Sequence, residues 1–80
     1  MTPRQARKLV AQVEPSPGYI LDYSRNELAD LIDDQFNYDL DQFQGSNSKR
    51  LTALFETLPD DEALAIISYL KDQYDINRLN

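Results

Sequence analysis

The sequence predicts an all-α protein, folded either as a compact four-helix bundle or as an orthogonal helical bundle. Four segments repeat apolar residues with the 3.6-residue period of a helix, and no segment shows the alternation of a strand. The links between these segments are short, which favours antiparallel neighbouring helices. A chain of 80 residues has room for one domain, so we expect residues 1–80 to form a single helical domain.

The first helix is predicted over residues 3–13. Its apolar stripe consists of Ala6, Leu9, Val10 and Val13. Thr2 and Gln5 have the spacing of a capping box, and Pro3 suits the first helical position because its missing N–H is not needed there. Pro15, Pro17 and Gly18 end the helix and begin a connector.

The second helix is predicted over residues 24–36. Ser24 and Glu27 form a second capping box, in which each side chain accepts a hydrogen bond from the other residue's N–H. Its apolar stripe consists of Leu28, Leu31, Ile32 and Phe36. Asn37 is a suitable left-handed residue to end it. A loop or short turn follows, in which Asp39 is predicted to be a turn or cap residue.

The third helix is predicted over residues 48–58, with Ser46, Asn47 or Ser48 as its cap and Pro59 as its breaker. Its stripe consists of Leu51, Leu54, Phe55 and Leu58.

The fourth helix is predicted over residues 60–75. Its stripe is the widest in the chain and comprises Ala63, Leu64, Ile66, Ile67, Leu70 and Tyr74. A stripe of that width predicts the most buried helix.

The composition excludes most catalytic and cofactor chemistry. The chain has no Cys and no His, so thiolate nucleophiles, imidazole bases and Cys or His metal ligands are all missing. Its two Gly residues stand too far apart for a nucleotide-binding loop. An enzyme using carboxylates alone would need a cleft that so small a bundle is not expected to form. We therefore expect no enzyme activity, no metal and no cofactor.

The net charge of the chain limits the kinds of partner that it can bind. Fourteen acidic residues against eight basic ones give a net charge of −6, which repels nucleic acid and anionic membranes. No apolar run approaches the 18 residues of a membrane span, and no apolar core of a secretory signal is present. We expect a cytoplasmic protein that contacts neither nucleic acid nor membrane and binds a protein with a basic surface.

An acidic face on the second helix is the first candidate site. It consists of Glu27, Asp30, Asp33 and Asp34, on the side opposite the apolar stripe. Like charges three or four residues apart repel one another, and acids in a last turn oppose the helix dipole. The face is interpreted as a solvated surface, as a docking site for a basic partner, or as a divalent metal site. Of these, docking is the functional hypothesis.

Two basic segments offer further candidates. The first comprises Ser46, Ser48, Lys49 and Arg50, which bring hydroxyls, helix-start N–H groups and two cations together. Such a set can contact an anion or a partner, or it can be a loop and a cap whose cations pair with the second helix. The second is the basic face of the first helix, formed by Arg4, Arg7 and Lys8. It either pairs with the acidic middle of the chain or supports weak self-association.

A family resemblance rests on four stretches of sequence. They are Y-S-R-N-E-L at 23–28, D-L-D at 39–41, G-S-N-S-K-R-L at 45–51 and L-P-D at 58–60. Over residues 23–70 the chain resembles a small helical domain found at the N-terminus of bacterial abortive-infection and phage-defence proteins. It departs from that pattern at Asn47, where Gly is usual, and in the close Lys49–Arg50 pairing. The resemblance implies an adaptor or recognition module ahead of an effector, without an active site.

Two functions remain. The first is a non-catalytic protein–protein interaction module of a bacterial defence or signalling system, docking through the acidic face. The alternative is a free-standing small acidic inhibitor, phage-encoded or antitoxin-like, that blocks a basic nucleic-acid-binding groove. The net charge of −6 supports either hypothesis.

Overall fold

A computed structural model describes the backbone of residues 1–79 and the side chains through Ile76. It contains four α-helices, listed here in chain order: α1 Pro3–Ala11, α2 Arg25–Phe36, α3 Asn47–Glu56 and α4 Asp60–Leu79. A short 3₁₀ helix, Leu40–Gln42, lies between α2 and α3. The described residues form no strand, and the predicted all-α helical bundle is confirmed.

Local hydrogen bonds explain where the helices begin. Thr2 and Ser24 each complete a capping box, and the Glu27 N–H donates to Ser24 Oγ over 3.2 Å while the Ser24 N–H donates to Glu27 Oε1 over 3.1 Å. Ser46 caps α3, because its Oγ accepts the Lys49 N–H at 3.3 Å. Asn37 ends α2 in the left-handed conformation, with φ of 61°. These bonds satisfy backbone groups that a helix end leaves without partners.

The helix ends differ from the predicted bounds where the chain has to turn. α1 ends at Ala11 rather than at residue 13, and the Val13 carbonyl instead accepts the Leu21 N–H at 2.8 Å. This bond returns the connector to the core. α3 begins at Asn47 and ends at Glu56, two residues before the predicted end. α4 continues to Leu79 because no Gly or Pro follows residue 75.

One apolar cluster holds the helices and connectors together. α1 packs mainly on α3 and less closely on α4. The connectors add Ile20, Tyr23 and Leu40, all of them buried. The Tyr23 hydroxyl donates to the Leu70 carbonyl oxygen over 3.0 Å, and burial raises the pKa of Tyr23 to about 12. Leu64, predicted on the buried stripe of α4, is instead 53% exposed and lines an open cavity together with Leu9 of α1.

Candidate functional site

The acidic face of α2 lies fully on the surface. Glu27, Asp30, Asp33 and Asp34 are all exposed, while Leu28 and Ile32 on the opposite side of α2 are buried. Glu27 also stabilises the start of α2, because its carboxylate accepts the Ser24 N–H in the capping box. The other three carboxylates accept no hydrogen bond from any residue in the described part of the chain. They are therefore free to meet a partner.

Among the described side chains, none forms an ion pair with this face. Among the residues that the structure describes, the only ion pair is Arg50–Asp41, at 2.7 Å. The interpretation that the α1 cations, Lys49 or Arg50 pair with the acids of the second helix is therefore wrong. Like-charge neighbours remain along α2, each costing about 0.2–0.5 kcal/mol.

The C-terminal end of α2 is fixed against α4 by aromatic residues. The rings of Phe36 and Tyr69 pack edge to face, with centroids 5.5 Å apart and an interplanar angle of 88°. Tyr38, which follows α2, donates its hydroxyl to Glu62 Oε2 over 2.8 Å, and this hydrogen bond raises the pKa of Tyr38. Together with the Ser24 cap at the other end, these contacts present the acidic face on a helix held at both ends.

Arg50, predicted as an anion or partner contact, is instead a buried structural residue. Its side chain is 0% exposed and donates to Asp41 Oδ1 at 2.7 Å, to Asn47 Oδ1 at 2.7 Å and to the Arg25 carbonyl at 3.2 Å. Its buried Nε has no hydrogen-bond partner. The sequence held one signal for this burial. Arg50 precedes Leu54 by four residues and so shares its face of α3.

The other members of that cluster are divided between structural roles and the surface. The Ser46 hydroxyl caps α3, and the buried Ser48 donates its backbone N–H to the Gly18 carbonyl at 3.4 Å. Two first-turn N–H groups that an anion would need, those of Ser48 and Lys49, are therefore already engaged. Only the Lys49 side chain is exposed. The structure thus brings the four residues together without making an anion site of them.

A cavity of about 300 Å³ lies between α1 and α3. We call it the α1–α3 pocket, and its lining consists of Arg7, Val10, Glu14, Ser48, Lys49 and Thr52. Glu14 Oε2 accepts the Gly18 N–H at 2.9 Å, and the neighbouring Ser48 hydroxyl and this N–H lower the pKa of Glu14. Sequence reasoning found Arg7 and Lys49 separately and missed the pocket, because their helices meet only in the folded protein.

No protein-family model, curated protein or solved structure matches this chain. Any function assigned to the chain therefore depends on the geometry of its described residues. Within that part of the chain, no group of three or more acidic side chains is arranged to hold a metal ion. No helix in it combines the length and the apolar character needed to cross a membrane.

Proposed function

We propose that the chain is a non-catalytic protein–protein interaction module that docks through its acidic α2 face onto a basic protein surface. The observation that carries this proposal is the set of four exposed carboxylates with no ion-pair partner among the described residues. The resemblance over residues 23–70 supports a place in a bacterial defence or signalling system in the cytoplasm.

The energetics of α2 favour a basic partner. Asp33 and Asp34 lie in the last turn, where the helix dipole disfavours negative charge, and Asp30 precedes them by three and four residues. Lysine or arginine side chains of a partner would relieve both effects on binding. Sequences are usually consistent with their own local structure, and departures collect at functional sites. The acidic face is such a departure.

The rigidity of α2 favours recognition as well. The Ser24–Glu27 box fixes its start, and the Phe36–Tyr69 contact fixes its end. A partner therefore meets carboxylates carried on an ordered helix, and little backbone entropy is lost on binding. Exposed charges of one sign also accelerate encounter with a surface of opposite sign.

Capture of the partner from a lysate of the source organism tests the proposal with a matched control. The test variant is Asp30→Asn with Asp34→Asn, and the control is Asp72→Asn with Asp75→Asn, which changes the net charge equally on the exposed surface of α4. We expect mass spectrometry to find a basic protein retained by the wild type and the control but not by the test variant. With the purified partner, binding should weaken about fivefold at 0.15 M salt and less in high salt. Equal retention by both variants would refute docking through this face.

The alternative, an acidic inhibitor of a nucleic-acid-binding groove, is supported by a further exposed acid beside α2. Asp39 precedes the 3₁₀ helix and forms no ion pair with a described residue, whereas Asp41 is 66% exposed but already pairs with Arg50. If the captured partner binds nucleic acid, a short DNA duplex should displace the chain from it. A partner that holds the duplex and the chain together would exclude this alternative and leave the adaptor function.

A further inference from the structure

We propose that the α1–α3 pocket binds the acidic α2 face of a second copy of this chain, so that copies associate head to tail. This goes beyond the proposed function because it assigns a ligand to a pocket that the docking of a basic partner leaves unused. The two surfaces belong to different helices of the same fold. Their charges are opposite, and each is unpaired among the described residues.

The α1–α3 pocket offers two cations beside an apolar floor. Arg7 and Lys49 are exposed, whereas Val10 is only 2% exposed. The polar groups deeper in the lining are already satisfied within the fold. Thr52 Oγ1 donates to the Ser48 carbonyl at 2.7 Å, and Glu14 accepts the Gly18 N–H at 2.9 Å. The groups left for a ligand are therefore the two exposed cations, and with the Glu14 carboxylate in the same lining the pocket carries a net charge of about +1.

The acidic face offers the complementary arrangement. Asp30, Asp33 and Asp34 are exposed, and Asp30 lies three and four residues before the other two, so these carboxylates share one side of α2. Leu31 is partly buried and packs against the core, so the contact is made by the carboxylates. Placed over the α1–α3 pocket of another copy, they would approach Arg7 and Lys49.

The geometry of this contact fixes its stoichiometry. Because one copy contributes α2 and the other contributes α1 and α3, the contact is heterologous. Each copy therefore keeps one of its two binding surfaces unoccupied. Association therefore continues beyond a dimer as concentration rises. A contact made of exposed charge pairs is weak, so association should be detectable only at protein concentrations of about 1 mM or above. The net charge of −6 opposes association at low salt, and screening weakens the charge pairs at high salt, so association should peak between the two.

Three double variants isolate the contact. The face variant is Asp30→Asn with Asp34→Asn, and the pocket variant is Arg7→Gln with Lys49→Gln. The control, Asp72→Asn with Asp75→Asn, matches the face variant in net charge but keeps both surfaces. Sedimentation velocity at about 1 mM protein and about 0.1 M salt should show association of the wild type and control, with the face variant and the pocket variant each monomeric.

Mixing the two defective variants provides the decisive measurement. The face variant keeps its pocket and the pocket variant keeps its acidic face, so together they should form a dimer and nothing larger. With the face variant labelled with ¹⁵N, amide shifts should concentrate in residues 7–10 and 48–52. Shifts elsewhere, no shifts, or equal sedimentation of the control and face variant would overturn the self-contact. The proposed function would survive that result if the face variant still lost the captured basic partner, and it would fail separately if it did not.

Discussion

Replacement of Arg50 by Met tests the assignment of this residue to the structure rather than to the surface. The guanidinium of Arg50 joins three parts of the chain: Asp41 in the 3₁₀ helix, Asn47 in the first turn of α3 and the Arg25 carbonyl at the start of α2. Its side chain is 0% exposed. A methionine fills similar volume but donates no hydrogen bond.

The structure sets the expected cost of this change. Arg50→Met leaves the buried Asn47 Oδ1 without its donor, which costs about 1–3 kcal/mol, whereas the Arg25 carbonyl still accepts an N–H within α2. Removing a buried charge returns part of that amount. The carboxylate of Asp41 loses little, because its side chain is 66% exposed and water replaces the guanidinium. We expect a net loss of about 1–2 kcal/mol in the free energy of unfolding.

A double-mutant cycle measured by urea unfolding checks this reasoning. Asp41→Ala alone should cost about 1–3 kcal/mol, because it leaves a buried guanidinium without its counter-ion, partly compensated by solvent at the exposed end. The double variant should cost no more than Arg50→Met alone, since Asp41 has no other side-chain partner among the described residues. An osmolyte can keep the weaker variants folded. Additive costs, or stabilisation by Arg50→Met, would refute the assignment.

Four further predictions concern the core, the Ser24 cap, the Tyr23 hydroxyl and the acidic face. Leu70→Ala should lower the free energy of unfolding by about 2–5 kcal/mol, because Leu70 is fully buried. Ser24→Ala should lower it by about 1 kcal/mol, because the helix loses its cap. If urea unfolding ranked the two variants in the reverse order, the placement of the core would be wrong. The contribution of Tyr23 to the free energy of unfolding should be constant below pH 10, then fall as pH rises towards the Tyr23 pKa of about 12, by at most ~1.4 kcal/mol per pH unit, because the folded state holds the neutral phenol. Tyr23→Phe should remove that part of an alkaline titration, and an unchanged pH profile would contradict the burial of the hydroxyl. The Asp30→Asn, Asp34→Asn variant should melt at the same temperature as the wild type or higher, since only repulsion is lost; a lower melting temperature would reveal an internal partner.

Interactions between residues that are close together in the chain could be predicted from the sequence. The Thr2–Gln5 and Ser24–Glu27 boxes each join residues three positions apart, so their spacing alone predicts the helix starts. The left-handed conformation of Asn37 could also be predicted locally, because a short polar side chain tolerates positive φ. The period of the apolar residues placed Leu28 and Ile32 in the core. The exposure of the acidic face followed from the same period.

Contacts between residues distant in the chain were decided by the tertiary structure. Arg50 looks like a surface cation beside Lys49, and its burial depends on the Arg25 carbonyl, 25 residues away, and on Asp41 in a turn with no helical period. Leu64 lies on an apolar stripe, yet it is 53% exposed. The α1–α3 pocket exists only where Arg7 and Lys49 meet across two packed helices. Periodicity shows which side of a helix is apolar, but the packing of neighbouring helices determines how much of that side is covered and which polar groups are enclosed with it.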